Sequence, residues 1–209
     1  MIIKYKLTDQ NIRTHKNYQW RLGRWERAKG KNNQGLCTDG WLHCYDSSLI
    51  AILHNPIHAD YYKPRLWEVE CAGKTKNDKG IKCGYQKMRL IKEIPVPVIT
   101  TTQIVAYGIL CAMEVSKDKK FLHWAKNWLS GKDRSQRAAE AAEASATATA
   151  AAAGSYASAA SYAASATATA AAAASYATPY AAAAVYAAVY AVHAKKLNLK
   201  KLAQKAMNY

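Results

Sequence analysis

The sequence predicts an α+β fold, in which a small, mostly antiparallel sheet with two to three helices is followed by an Ala-rich α-helical tail. Three observations support this. Several early segments alternate apolar and polar residues as half-buried strands do. Two later segments combine helix caps with apolar residues at helical spacing. Residues 144–192 form a run of 49 positions without Asp, Glu, Lys or Arg. We therefore expect a head domain, residues 1–132, and a tail, residues 133–209.

Four segments of the head are predicted as strands: WRLGRWE (20–26), GWLHCY (40–45), RLWEVECAG (65–73) and CGYQKMRLIKEIPVP (83–97). In the first strand, the spacing leads us to expect Trp20, Leu22 and Trp25 to face a core. In the third strand, Trp67 and Cys71 fall on one face, because side chains alternate between the two faces of a sheet.

Three helices are predicted in the head. SSLIAILHNP (47–56) suits a short helix that begins at Ser47 or Ser48 and ends at Asn55-Pro56. Thr100 and Gln103 have the spacing of a capping box before IVAYGILCAMEV. Asp118 can cap the helix in KDKKFLHWAKNWLSG (117–131), whose aromatic residues are expected to pack in the core.

The tail is predicted to be helical because Ala is the best helix former, with breaks at Gly154 and Pro179. Residues 145–164 match residues 165–184 at 14 of 20 positions, which indicates duplication of a low-complexity segment. Small residues let helices approach closely, so self-association through the tail is one interpretation and a weakly ordered tail is the other. Integral membrane insertion is not expected, since Ala, Ser and Thr supply little transfer energy.

The charge balance favours polyanionic partners. The 209 residues contain 30 Lys and Arg against 14 Asp and Glu, a formal charge of +16 at pH 7. Basic residues can hold phosphates while aromatic rings stack on bases. We therefore expect nucleic acid or a nucleotide as the partner, although a solvated basic face would have the same composition. The candidate anion-binding residues are Arg21, Arg24, Trp25, Arg27, Lys29, Lys31, Tyr61, Tyr62, Lys63 and Arg65.

The five cysteines are odd in number and lack the spacing of a disulfide framework, and the N-terminus lacks an apolar signal segment. We expect reduced thiols and a cytoplasmic protein. Cys37, His43 and Cys44 are candidate zinc ligands, together with Cys71 and Cys83. Their spacing is not that of a zinc knuckle, and neighbours on a strand point to opposite faces. No metal or cofactor is expected, and buried thiols are the simpler interpretation.

The head resembles an uncharacterised family that is widespread in phage, prophage and metagenomic sequences. The segments that carry the resemblance are LTDQN, GLCTDGWLHCY, LHNPIHAD, PRLWEVECAG, RLIKEIPVP, GILCAMEV and WAKNWLSGKDRS. They span residues 7–135, and an Ala- and Tyr-rich tail follows, as it does in that family. The resemblance implies a phage or bacterial intracellular setting, and it brings no established activity.

An enzymatic alternative comes from the order of the elements. A Gly-x-His strand, a helix and a strand with Glu68 and Glu70 resemble the layout of ADP-ribosyltransferases. By that resemblance, His43 would bind a dinucleotide, and Glu68 or Glu70 would stabilise the developing charge. Structural carboxylates on an amphipathic strand are the competing interpretation. A thiol nucleophile with His54 or His58 as its base is a further option.

The sequence thus leads to three functional hypotheses. The first is a basic intracellular protein that binds nucleic acid or a nucleotide-like anion without catalysis and modulates a host system. The second is an ADP-ribosyltransferase-like enzyme. The third is a structural or assembly protein that works through oligomerisation of the tail.

Overall fold

The computed structural model describes residues 2–31, 35–151, 163–164, 166–169, 171 and 179–209. The chain divides into two compact units, residues 1–98 and 99–209. The boundary drawn at 132/133 follows the rise in Ala content, whereas the compact units are divided earlier, just before the helix that begins at Thr101. The two helices assigned to the head by composition therefore lie in the second unit.

The first unit is built on an antiparallel sheet, as the sequence predicts. Its strands are β1 (Ile2–Thr8), β4 (Glu26–Arg27), β5 (Leu42–Cys44), β6 (Arg65–Asp78) and β7 (Lys82–Ile94). Their order is β1-β6-β7-β4, and β5 also pairs with β7. A separate small hairpin joins β2 (Arg13–Thr14) to β3 (Tyr18–Gln19). The N-terminal strand β1 was not predicted from the sequence.

A pair of backbone hydrogen bonds connects the two sides of this sheet. The N–H of Tyr5 on β1 donates to the carbonyl of Tyr45 at 3.0 Å, and the N–H of Tyr45 donates back at 2.8 Å. Tyr45 directly follows β5, which pairs with β7. The strands β1, β6, β7 and β5 are therefore joined into a ring of backbone hydrogen bonds.

The core of the first unit contains residues that alternate along the strands. Trp67 and Cys71 on β6 are buried together, as predicted, and Trp20 joins them at 2% exposure. The same prediction was wrong for Leu22 and Trp25, which are 61% and 40% exposed. Residues 20–25 are not a continuous strand: Leu22 makes only an isolated bridge to Leu90, and Gly23, with φ of +75°, turns the chain before Trp25, so strand alternation does not apply here. The cluster consists of Trp20, Cys44, Trp67, Val69, Cys71, Cys83, Tyr85, Met88 and Leu90.

Two short helices follow β5. α1 (Ser48–Leu53) begins after Ser47 as expected, and it packs against β1. The Asn55-Pro56 pair does end α1, but it also opens α2 (Asn55–His58), because a proline is tolerated in the first turn of a helix.

The second unit is helical in the part of it that the structure describes. α3 (Thr101–Met113) begins with the predicted capping box, since Thr100 and Gln103 bond each other's backbone N–H groups. α4 (Lys119–Leu129) begins at Asp118, whose carboxylate accepts from two backbone N–H groups as predicted. The buried side of α4 consists of Phe121, Trp124, Ala125 and Trp128.

The Ala-rich tail forms α5 (Gln136–Ala151), α6 (Pro179–Ala194) and α7 (Leu199–Ala206), which confirms its predicted helical character. Ser135 accepts a hydrogen bond from the N–H of Ala138 at 3.3 Å and caps α5. Pro179 is the first described residue of α6. The predicted break at Gly154 and most of the sequence repeat lie outside the described residues.

Small residues set the distance between α3 and α6. A Cβ atom added to Gly108 would lie 2.6 Å from the carbonyl oxygen of Ala184 and 3.0 Å from its Cα. Glycine at this position therefore lets the two helix backbones approach more closely than any other residue would allow.

Candidate nucleic-acid interface

The first predicted anion-binding segment, residues 20–31, lies beside β7. The N–H of Gly23 donates to the carbonyl of Leu90, and the N–H of Ala28 donates to the carbonyl of Gln86, both at 2.9 Å. Between these two bonds, β4 pairs with β7 in register. This backbone support fixes the segment along the sheet while its charged side chains face solvent. The exposed side chains are those of Arg21, Arg24, Trp25, Arg27, Lys29 and Lys31.

Aromatic rings and one carboxylate fix part of this basic segment. Arg24 lies 3.5 Å from Glu26, which also accepts a 2.7 Å hydrogen bond from the hydroxyl of Tyr18. The Trp25 ring lies 5.0 Å from the guanidinium carbon of Arg89 and keeps 40% of its surface exposed. Lys29 lies 5.6 Å from the centre of the Tyr18 ring. The segment therefore presents an ordered aromatic surface next to its cations.

Lys87 is a residue of this surface that the sequence analysis missed. It stands opposite Arg27 in the β4–β7 register, so the two side chains share one face of the sheet. Like charges placed opposite each other are unfavourable unless an anion or solvent neutralises them. No periodic pattern signals this pairing, because it depends on which strand neighbours β4.

The second predicted segment, residues 61–65, leads into β6. Tyr62 is 84% exposed, with Lys63 5.2 Å from its ring centre. Arg65 donates to both carboxylate oxygens of Glu93, at 2.9 and 2.5 Å, and hydrogen bonding to Arg65 lowers the pKa of Glu93. The charge of Arg65 is therefore neutralised within the protein, which makes it a poor phosphate ligand.

The two predicted segments lie beside different strands. Residues 20–31 run along β7 next to β4, whereas Arg65 stands opposite Thr8 of β1. Arg65 itself begins β6, and the next residue, Leu66, pairs with Ile94 at the end of β7, whereas Arg27 pairs with Lys87. The basic segment 20–31 is thus the better candidate, and Tyr62 and Lys63 form a separate exposed pair.

A further group of lysines stands at the tip of the β6–β7 hairpin. Lys74, Lys76 and Lys79 are exposed around the turn at Gly80. The run KTKNDKGIK could have indicated this tip from the sequence, because its turn residues lie between two strands.

The three residues weighed as zinc ligands have separate surroundings. Cys37 is exposed, and its sulfur accepts a hydrogen bond from Lys82 Nζ at 3.0 Å. The Nε2 atom of His43 lies 2.5 Å from the carbonyl oxygen of Leu36. Cys44 is buried. Among the described residues, no three or more His, Cys, Asp or Glu side chains are grouped so that they could hold a metal ion.

The residues of the enzymatic alternative are engaged in structural contacts. Glu70 accepts a 2.7 Å hydrogen bond from Arg89 Nε, and Glu68 lies 4.0 Å from Lys92. Burial lowers the pKa of His43 to about 4, so its ring is neutral at pH 7. These contacts give each side chain a role in holding the sheet.

His54 and His58 pack against each other with their rings tilted by 34°. Their ring centres are 5.4 Å apart, and His58 lies 6.1 Å from the ring centre of Tyr45. Burial lowers the pKa of His54 to about 3 and that of His58 to about 4. Both rings are therefore neutral at pH 7; His54 is buried, and His58 is half-buried.

Lys6 is a second residue that the sequence analysis missed. It lies on β1 at 6% exposure, and its Nζ donates to the carbonyl of His43 at 2.7 Å. Burial lowers its pKa to about 8, although the thiols of Cys44, Cys71 and Cys83 oppose that change. A lysine in a strand is usually exposed, so the sequence alone favoured a solvent position.

A family model described as a domain of unknown function (DUF7666) matches residues 2–101, just under half of the chain. The matched range corresponds closely to the first compact unit. No curated protein and no solved structure gave a significant match. Within the described residues, every helix is too short or too polar to cross a membrane.

Proposed function

We propose that residues 1–98 bind nucleic acid or a nucleotide-like polyanion, without catalysis, through the basic segment 20–31 and Lys87. The observation that carries the proposal is the exposure of Arg21, Arg24 and Arg27 beside the exposed Trp25, on backbone anchored to β7. Guanidinium groups bind phosphates in a bidentate way, and an adjacent indole can stack on a base.

The charge of this unit supports the proposal. Residues 1–98 contain 18 Lys and Arg against nine Asp and Glu. Five of those carboxylates are held in ion pairs with Lys4, Arg24, Arg65, Arg89 or Lys92. The remaining positive charges generate an excess potential, which attracts polyanions and releases their counterions on binding.

The cellular setting of the protein is part of the same proposal. The resemblance to phage and prophage sequences leads us to place the protein in the bacterial cytoplasm, where it modulates a host system by binding. We also propose that the Ala-rich tail self-associates, which would raise the affinity of the basic surfaces for a long polyanion through multivalency.

The test compares full-length proteins that differ in three exposed cations. In one variant Arg21, Arg24 and Arg27 become Ala. In the matched control Lys119, Lys120 and Lys126 of α4, which are also exposed, become Ala, so that both variants lose three positive charges. Binding to labelled single-stranded and duplex DNA and RNA is measured by fluorescence anisotropy over a salt series.

We expect the arginine variant to bind at least about tenfold more weakly than the control, with a salt slope reduced by about 2 to 3. Equal losses in both variants would show that only net charge matters and would contradict the assigned surface. A wild-type protein that binds none of the probes at low salt contradicts nucleic-acid binding.

Trp25→Ala then distinguishes between strands and duplexes. Base stacking on an aromatic ring contributes about 1–3 kcal/mol per base, and duplex bases are not available for it. We expect weaker binding of single strands with little change for duplexes. An equal change for both would exclude stacking on Trp25.

A further inference from the structure

Three thiols meet inside the first unit. The sulfur of Cys44 lies 3.3 Å from that of Cys83 and 3.9 Å from that of Cys71. Cys44 lies on β5, Cys83 on β7 and Cys71 on β6. Each of the three is at most 3% exposed. All are free cysteines. The basic surface proposed above does not use them, so their proximity requires a separate explanation.

The strand register favours one pair among the three. Cys44 and Cys83 are direct partners in the antiparallel β5–β7 ladder. The Cα atoms of such partners lie about 4.5 or 5.5 Å apart, and both values fall within the range of about 4.4–6.8 Å found for disulfides. Cys71, in contrast, stands opposite Met88 in the β6–β7 ladder. Bond formation between Cys44 and Cys83 therefore needs side-chain rotation and little backbone movement.

Lys6 supplies a buried cation beside this cluster. Its Nζ lies 4.4 Å from the ring centre of Trp20, a member of the same buried cluster, and donates to the carbonyl of the residue before Cys44. Burial raises the pKa of the Cys44 thiol and lowers that of Lys6. With a pKa of about 8, Lys6 is an ammonium at pH 7, and its charge stabilises a thiolate that forms in this cluster.

We propose that Cys44 and Cys83 are a redox modification site that forms an intramolecular disulfide on exposure to a peroxide. One thiol loses its proton to solvent, and its thiolate attacks a peroxide oxygen. The O–O bond breaks, hydroxide leaves, and a sulfenic acid forms. The sulfur of the other cysteine then attacks the sulfenic sulfur, the S–O bond breaks, and a second hydroxide leaves. With the two thiol protons, the products from hydrogen peroxide are one disulfide and two waters.

The size of the oxidant matters because the sulfurs are buried. Hydrogen peroxide is close to water in size, whereas glutathione disulfide would need a large opening of the sheet. We therefore expect peroxide to be the effective oxidant for the folded protein. Cys37, which is exposed, serves as an internal reference for a thiol accessible to both oxidants.

The experiment uses the full-length protein and a Cys37→Ser variant. Each is treated with hydrogen peroxide, quenched with catalase, denatured, alkylated with iodoacetamide and weighed intact, and peptides are then mapped. For Cys37→Ser, which keeps four of the five cysteines, we expect a loss of two alkylatable thiols that dithiothreitol restores. The linked peptides should contain Cys44 and Cys83, and Cys71 should remain alkylated.

A Lys6→Met variant tests the proposal without replacing any cysteine, in case the cysteine replacement disturbs folding. We expect the same disulfide to form more slowly in it at pH 7, because the cation that stabilises the thiolate is missing. A peroxide-treated Cys37→Ser protein that keeps all four thiols overturns the proposal. So does a Cys44–Cys71 link, or a Cys44–Cys83 link that forms only in urea.

Discussion

The ammonium nitrogen of Lys6 lies 4.4 Å from the centre of the Trp20 ring, in a region where both side chains are almost completely buried. A cation over an indole face recovers part of the hydration energy that burial removes. The recovery is incomplete, since burial still lowers the pKa of Lys6 to about 8. Lys6 therefore destabilises the fold at neutral pH relative to an apolar side chain.

Lys6→Met is expected to stabilise the protein at pH 7 by about 1–3 kcal/mol, because the variant removes a poorly solvated charge. The folded-state pKa lies below that of the unfolded chain, so the unfolded state binds more protons between about pH 8 and 10.5. Wild-type stability therefore gains with rising pH in that window, and the advantage of the variant should shrink by about 2 kcal/mol at pH 9.5.

Urea denaturation at pH 7 and pH 9.5 measures this difference. Comparing variant with wild type at each pH removes the contributions of other groups that titrate at high pH. Lys74→Met, at an exposed position on the hairpin tip, is the control and should show no such change. If the stability gained by Lys6→Met is the same at both pH values, the lowered pKa of Lys6 in the folded protein is contradicted.

His54 is expected to make the protein sensitive to acid. Its pKa is lowered to about 3 by burial, below the ordinary value of 6.5, so the unfolded state binds more protons as pH falls. Stability is therefore lost on acidification from pH 6.5 towards the folded-state value. Between pH 7 and pH 5, His54 alone should account for about 2 kcal/mol.

The measurement compares the change in unfolding free energy from pH 7 to pH 5 in wild type and in His54→Gln. The variant should lose about 2 kcal/mol less than wild type. His123→Gln, on the exposed side of α4, should follow the wild-type curve. Parallel curves for His54→Gln and wild type would mean that His54 does not remain neutral in the folded state.

Gly84→Ala is expected to destabilise the first unit by about 1–3 kcal/mol, as overpacking does. An added Cβ atom would lie 2.5 Å from Leu36 Cδ1 and 2.8 Å from Trp41 Cβ. Gly35→Ala is the matched control, because its added Cβ meets nothing within 4 Å. Urea midpoints at equal m-values report the difference, and equal midpoints for the two variants would exclude tight packing at Gly84.

Gly108→Ala has two opposing effects on the stability of the second unit. Ala is more favourable than Gly within a helix by about 1 kcal/mol. The added methyl group, however, would lie 2.6 Å from the backbone oxygen of Ala184, which cannot move without shifting α6. We expect the steric overlap to outweigh the gain in helix propensity, so that the melting temperature falls. A rise in the melting temperature would show that α6 can move away freely.

Sequence patterns predicted the parts of the fold that depend on residues close together in the sequence. The alternation that buries Trp67 and Cys71 and the cap residues Thr100 and Asp118 are confirmed, because each depends on neighbours within a few positions. Trp25 was wrongly assigned to the core, since the positive φ of Gly23 is invisible to periodicity.

The parts that sequence could not supply depend on distant partners. β1 went unrecognised because its two lysines obscure the strand pattern, and the burial of Lys6 requires the ring formed with β5. Within the candidate surface, the basic segment was proposed from its composition and stays a prediction, whereas Lys87 depends on the register between β4 and β7. Arg65 was included by its charge, and only the contact with Glu93 shows that its charge is neutralised.

The hydrogen bonds between Tyr5 and Tyr45 have a consequence for colloidal behaviour. An open edge strand offers a continuous row of backbone groups on which a neighbouring molecule can add its own strand and start aggregation. β1 would be vulnerable, because Ile2 and Ile3 are 46% and 41% exposed. Tyr5 lies at its midpoint, and both of its backbone groups are already occupied. The strand is thereby divided into stretches too short to template the addition of another chain.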